Sequence, residues 1–357
     1  MQKIAFLILV FLGILLPCRE SSAAQEWLTF NYFLDAELEP IEPVPVDKFA
    51  IALSEAEAKN DAEMLYKFGR IYGESIGVKE DKVKAEKYLE KAAESGLEKA
   101  QLALGIFYNF KGDITKARKW FNKAAEKGNT KAMFQLGFFN ELGRGSFQNN
   151  EKAIEYYNTS SDGGYIKASL RLALHYQNMS PKPDFDKAIA FYKKAETQAN
   201  EETKLKISLL LAKLYADIAE GKGDLSDVFT WRFKAAELGD LDSQVKIAQS
   251  YLNGLGVETN YEEALKWFNK AANLGNTESM TMLGYLYSNG LGVDINFEEA
   301  IRWYTYASER GNEEAAWSLG NMYLTGNGVK QNTKEAEKWF ARAKVLKEKN
   351  ALITNKK

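Results

Sequence analysis

One pattern recurs along most of this chain, and its period decides what the chain can fold into. From about residue 61 to 347 a small residue is followed by Leu-Gly and, three positions on, by an aromatic residue. Gly-x-Gly-Val, Lys/Glu-Ala, a pair of aromatic residues, Ala-Ala and Gly complete the unit. The clearest copies hold Leu283-Gly284 with Tyr287 and Gly290-Leu291-Gly292-Val293, and Leu319-Gly320 with Tyr323 and Gly326-Asn327-Gly328-Val329. With the residue after Leu as a ruler, eight copies fall at Gly69, Gly105, Gly137, Ala173, Ala212, Ala248, Gly284 and Gly320. The steps between them are 36, 32, 36, 39, 36, 36 and 36 residues. A unit this short cannot bury its apolar face alone and must stack on its neighbours.

Each half of the unit reads as a helix. In Ala315-Ala316-Trp317-Ser318-Leu319-Gly320 and in Glu263-Ala264-Leu265-Lys266-Trp267-Phe268, apolar or small residues recur at three- and four-residue steps. We call the first helix of a unit A and the second B. A mid-helix Gly costs about 1 kcal/mol against Ala, so a small ruler residue implies close packing in return. Gly96, Gly128, Gly239, Gly275 and Gly311 stand where helix B ends, as C-cap residues. The middle copies diverge. Repeat two has a short Lys111-Gly112-Asp113 turn, and repeat three has Ser146-Phe147 after its glycines. Repeat four has Ser180-Pro181-Lys182-Pro183, and repeat five Gly221-Lys222-Gly223-Asp224.

The recurring Leu-Gly-x-x-Tyr, Gly-x-Gly-Val, Trp-Phe and Ala-Ala-x-x-Gly resemble the Sel1-like repeat family, over about 80% of the chain. The resemblance implies an all-α fold, a right-handed α-solenoid of helix-turn-helix units related to tetratricopeptide proteins. It also implies a non-catalytic scaffold, since such proteins mostly hold other proteins together in signalling, envelope assembly or host interaction.

The ends are read separately. Lys3, an apolar run over residues 4–16, Pro17 and Ser22-Ala23-Ala24 form an export signal with cleavage after residue 24. A run of 13 residues is too short to span a bilayer. An uncleaved anchor is the second reading, and lipoprotein processing at Cys18 the third, with Pro17 against it. Residues 25–46 form an arm, aromatic at Trp27, Phe30, Tyr32 and Phe33, then rich in proline at Pro40, Pro43 and Pro45. It either packs on the solenoid or serves as a tether or partner-binding peptide. Residues 47–60 read as a lone capping helix B, and residues 348–357 as a polar tail. The expected destination is the periplasm or the exterior.

Little in the chain suggests chemistry. Cys18 is the only cysteine and His175 the only histidine, so thiolate metal sites and Cys-His catalysis have no ligands in the mature chain. No cofactor is expected. The net charge of -2 argues against nucleic acid as a partner. The Gly-x-Gly turns lack the strand and the Lys-Ser/Thr of a phosphate loop. Glu262-Glu263 and Glu298-Glu299 open helix B, where they favour the helix dipole. Ser243-Gln244-Val245-Lys246 matches the Ser-x-x-Lys signature of penicillin-recognising enzymes, and some cysteine-rich relatives have been linked to β-lactam binding. A cell-wall or β-lactam hydrolase is therefore the alternative function. Against it, Ser243 occupies the small-residue position that Ser279 and Ala315 also hold, and no partner motif is present.

The binding face is expected on helix A, which the resemblance places on the concave surface. Positions one and five after the ruler vary between copies. In repeats two to four they hold Ile106, Phe110, Phe138, Leu142 and Leu174, an apolar row among otherwise polar positions. A protein or peptide partner would sit there. Cover by the arm in cis, or local repacking around the short turn of repeat two, are the competing explanations. A secreted factor that engages a host protein is a further functional alternative.

Overall fold

Most helices start at an Asn or Asp. The side chain of Asn276 accepts from the Ser279 backbone N–H at 2.7 Å, and Asn260 accepts from Glu263 N–H at 3.0 Å. Such a cap satisfies a backbone donor that the first helical turn leaves open. Asn129, Asp240 and Asn312 cap other A helices in this way, and Asp81, Asp113, Asn149, Asp184 and Asn296 cap B helices. At the other end of helix B, Gly275 takes φ +92°, a left-handed conformation that closes the helix and lets the Asn276 cap follow at once.

The computed structural model describes residues 38–220 and 224–354. The expected export signal, Cys18 and the aromatic residues Trp27, Phe30, Tyr32 and Phe33 lie outside the described residues. So do residues 221–223 of repeat five and the last three residues. The regular structure of the described part is all α-helix. A first helix, α1 (Val46–Lys59), precedes eight A/B pairs. These are α2 (Ala62–Glu74) with α3 (Lys82–Glu94), α4 (Glu98–Lys111) with α5 (Ile114–Glu126), α6 (Thr130–Glu141) with α7 (Asn150–Asp162), and α8 (Ile166–Gln177) with α9 (Phe185–Glu196). There follow α10 (Glu201–Ala219) with α11 (Ser226–Glu237), α12 (Leu241–Asn253) with α13 (Tyr261–Asn273), α14 (Thr277–Asn289) with α15 (Phe297–Glu309), and α16 (Glu313–Thr325) with α17 (Thr333–Thr354).

The described residues divide into two compact units, one up to residue 199 and one from residue 200. In the first, Phe68, Tyr108, Phe121 and Phe139 anchor one continuous core. The helix α1 closes the start of that core: Phe49 meets Phe68 edge-on at 5.0 Å, and Ala56 is buried. In the second, Trp267, Phe268, Leu283 and Tyr304 do the same for repeats six to eight.

The ruler residue explains how each pair packs. A Cβ built on Gly105, Gly137, Gly284 or Gly320 would lie 2.5–2.7 Å from the aromatic ring of Phe121, Tyr157, Tyr304 or Phe340. Each of those rings belongs to helix B of the same repeat, so the small residue is the seat of the partner helix's aromatic side chain. The tryptophan one position earlier in helix B is treated differently. Trp231 and Trp267 lie under the ammonium groups of Lys234 and Lys270, at 3.8 and 3.6 Å, three residues further along helix B.

Two helices exceed the expected length. The extra residues between repeats four and five become added helix in α10, which runs 19 residues. Within the expected polar tail, residues 348–354 continue α17, which runs 22 residues to Thr354. Lys344, Lys347 and Lys349 keep its outer face wet while Asn350 Nδ2 donates to the Gly311 carbonyl at 3.3 Å and to Glu313 at 3.1 Å.

Candidate protein-binding surface

The five apolar residues expected on helix A do not share one fate. Phe110 is 78% exposed, because α4 ends one residue later and the chain turns back through Gly112 and Asp113 alone. Leu142, at the C-cap of α6, is 38% exposed. Ile106 and Leu174 are half-buried. Phe138 is completely buried, not on the open surface where the repeat pattern predicts it. Its ring stacks on Phe134 at 6.3 Å, and the Arg171 guanidinium of the next repeat lies over it at 5.9 Å.

Arg171 is held there by a polar cluster. Glu141 accepts from Arg171 Nε at 3.0 Å and from the Tyr157 hydroxyl at 2.6 Å, and Arg171 Nη2 donates to its second oxygen. Burial acts to lower the Arg171 pKa, but the bonds and charge of Glu141 outweigh it and the net shift is upward. Burial, then the Glu141 charge, pushes the Tyr157 hydroxyl well above its ordinary range. One turn along α8, His175 is half-buried and its pKa is lowered, first by burial, with Glu141 opposing and Arg171 assisting. The cluster ties repeat three to repeat four and turns Phe138 inward.

A residue that sequence reasoning passed over joins the surface. Phe147 is 97% exposed in the turn from α6 to α7. The other long turns carry Lys79, Glu258, Asp294 or Lys330 at this position, two residues before the helix B cap. An aromatic residue in a column of charges was the available signal. Phe110, Leu142 and Phe147 therefore lie at the A-to-B turn edge of two successive repeats, with Ile106 further down the same helix. The second unit also exposes single apolar residues, Leu255 and Ile295 among them, but among its described turn residues no aromatic one. Singly exposed apolar residues are ordinary on soluble proteins.

The residues considered for chemistry are placed otherwise. Ser243 is fully buried at the N-terminal end of α12, and its Oγ has no hydrogen-bond partner. Lys246 points outward to Asp242 at 3.9 Å. A nucleophile sealed under a helix interface cannot meet a substrate, so the Ser-x-x-Lys match is a feature of repeat packing. Among the described residues no group of three or more His, Cys, Asp or Glu side chains could hold a metal ion. A shallow recess of 620 Å³ between residues 309–311 and α17 is lined by Glu309, Arg310, Arg342 and Lys349, with no nucleophile among its residues. No described helix is long and apolar enough to cross a membrane.

The sequence model of the Sel1 repeat matches residues 62–97, 98–129, 130–165, 166–200, 241–276, 277–312 and 313–344. The chain belongs to the Sel1 repeat family. Seven of its eight helical pairs carry the Sel1 signature. The pair α10–α11 folds as a hairpin without matching, and it is the one with a lengthened helix A. Sel1 repeats serve generally in protein-interaction scaffolds without catalytic activity. Among solved structures, the chain is similar to c5321, a protective antigen present in uropathogenic Escherichia coli strains and displaying an SLR fold. They are 25% identical with a TM-score of 0.51, over 84% of this chain and 64% of that one. The chain thus spans less than two thirds of c5321. A Sel1 repeat protein from Oxalobacter formigenes is 24% identical over 89% of this chain and 96% of that one, with a TM-score of 0.48. No curated protein matches the chain.

Proposed function

We propose that this Sel1 repeat protein is a non-catalytic adaptor that binds a protein or peptide at the A-to-B turn edge of repeats two and three. The observation that carries the reading is the exposure of Phe110, Leu142 and Phe147 on successive hairpins, flanked by half-buried Ile106. Interface anchors are typically aromatic and clustered, and neighbouring half-buried apolar residues complete such a patch. Leu174 marks its far side on α8. Lys3, the apolar residues 4–16 and Ser22-Ala23-Ala24 support action after export.

The reading is tested by crosslinking in cells followed by capture of the full chain, native against a Phe110→Asp, Leu142→Asp double variant. A partner captured by the native chain and lost with the variant supports it. Capture of the same proteins by both forms sinks it. A second reading, a secreted factor that engages a host protein, is favoured by the likeness to a protective antigen. It differs in destination, so recovery of the chain from culture medium rather than from the cell envelope separates the two.

A further inference from the structure

Residues 38–45 read Leu-Glu-Pro-Ile-Glu-Pro-Val-Pro. Proline fixes its own φ and pushes the residue before it to extended backbone. Pro40, Pro43 and Pro45, with Glu39, Glu42 and Val44 before them, leave no room for helix. Pro45 has φ -54° and ψ 136°, close to polyproline II values. A polyproline II helix has three residues per turn, so every third side chain shares one edge. Burial follows that period: Leu38, Ile41 and Val44 are half-buried against the core of the first unit, and the four residues between them and Pro45 after them are exposed.

Polyproline II makes no internal hydrogen bonds, so its carbonyls need outside donors. Arg70 Nη1 donates to the Glu39 carbonyl at 2.5 Å. Arg70 itself is 5% exposed, with its other donors held by Glu74 at 2.5 and 2.9 Å and by the Tyr66 hydroxyl at 3.1 Å. It stands one residue after the ruler Gly69, the repeat position that Ile106 and Leu174 occupy in repeats two and four. The strap therefore lies on the helix-A face. Pro43 lies 4.0 Å from the site of a Cβ on Gly77, so the strap runs along that face toward the A-to-B turn.

We propose that residues 38–45 are an intramolecular ligand of the helix-A face, and that the partner of this face is an extended peptide with an apolar residue at every third position. The proposal deepens the adaptor reading above and rests on it for the partner. The strap displays the two elements by which extended proline-rich peptides are recognised, an apolar edge seated on a surface and a fixed donor to a main-chain carbonyl. Among the described residues its hold on that face is three half-buried side chains, the approach of Pro43 to Gly77 and the bond from Arg70. A tethered segment with so few contacts is kept in place by its effective concentration, in the millimolar range for short tethers. A free peptide with the same spacing can replace it, and one that also reaches exposed Phe110 and Leu142 gains contacts the strap does not make.

The test is fluorescence anisotropy with a labelled peptide of the strap sequence titrated into the full chain. The receptors are the native protein, a Leu38→Ser, Ile41→Ser, Val44→Ser triple variant, and Ile41→Ser alone. The triple variant is expected to bind the peptide at least about ten-fold more tightly than the native chain, because its own strap no longer competes. Adding Arg70→Gln to it should weaken binding again, and a peptide with its three apolar residues made adjacent should not bind. Equal binding by native and triple variant, or equal binding of the rearranged peptide, overturns the proposal. Should the triple variant lose its helical circular dichroism, Ile41→Ser decides: a gain of a few-fold supports the proposal, and no gain overturns it. The Phe110→Asp, Leu142→Asp chain leaves the strap site intact. Failure of the capture experiment with success of the titration would remove the adaptor reading alone.

Discussion

A methyl group on Gly284 would meet the Tyr304 ring at 2.7 Å, while Ala248 fills the same repeat position and is fully buried. One carbon is thus close to what the seat can hold, and a branched side chain is not. Gly284→Leu is expected to cost about 3 kcal/mol or more through overpacking, read as a lower midpoint in urea unfolding. An unchanged midpoint would show that Tyr304 can move aside freely. Phe138 and Phe110 make a sharper pair. Phe138→Asp would bury a carboxylate beside Glu141 and should destabilise by about 4 kcal/mol, whereas Phe110→Asp should stay within about 0.5 kcal/mol of native. His175 gives a pH signature. Its folded pKa lies below the unfolded value of about 6.5, so the folded state resists taking the proton. Stability contributed by neutral His175 is present above that value and falls as pH drops through it. His175→Gln should therefore lose less melting temperature than native between about pH 7.5 and 5.5. Equal losses in the two proteins would show that His175 does not contribute.

At the scale of the helix, the period and the small ruler residues made the hairpins legible from sequence, because each copy repeats the local demands of one packed pair. The caps were equally regular and went unread, although Asn or Asp precedes most helices. Asn276→Ala should cost about 1 kcal/mol, measured by urea unfolding. The site was less legible, for a physical reason. Variation at the position after the ruler predicts exposure, but Phe138 is buried by Arg171, a residue of the following repeat held by Glu141, which also accepts from Tyr157. Contacts of that kind cross from one repeat to the next and leave no mark in a comparison of equivalent positions. Phe147 lay in a turn where the repeat pattern had already broken. The strap's prolines were visible, yet the three-residue spacing of Leu38, Ile41 and Val44 gained meaning only with their burial.

At the scale of the molecule, the strong contacts within each unit join consecutive helices, apart from one between α14 and α16. Stability in such an array is close to a sum of nearest-neighbour terms. Damage should then stay local. In hydrogen exchange, Phe138→Asp is expected to lower protection in repeats three and four, and Gly284→Leu in repeats six to eight. Uniform loss along the whole chain in either variant would argue against that additivity. Each hairpin needs its ruler, caps and aromatic seat, and the turn edge is left free to carry exposed apolar residues such as Phe110 and Phe147.

The most direct measurement of the central claim is site-specific photocrosslinking in cells, with a photoreactive phenylalanine placed singly at Phe110, Phe147 and Trp317. Trp317 is 58% exposed on helix A of the last repeat and serves as the control. The expected result is one shared adduct from the Phe110 and Phe147 positions that is missing from Trp317. The same adduct from all three positions, or adducts from Trp317 alone, would contradict a binding surface at the turn edge of repeats two and three.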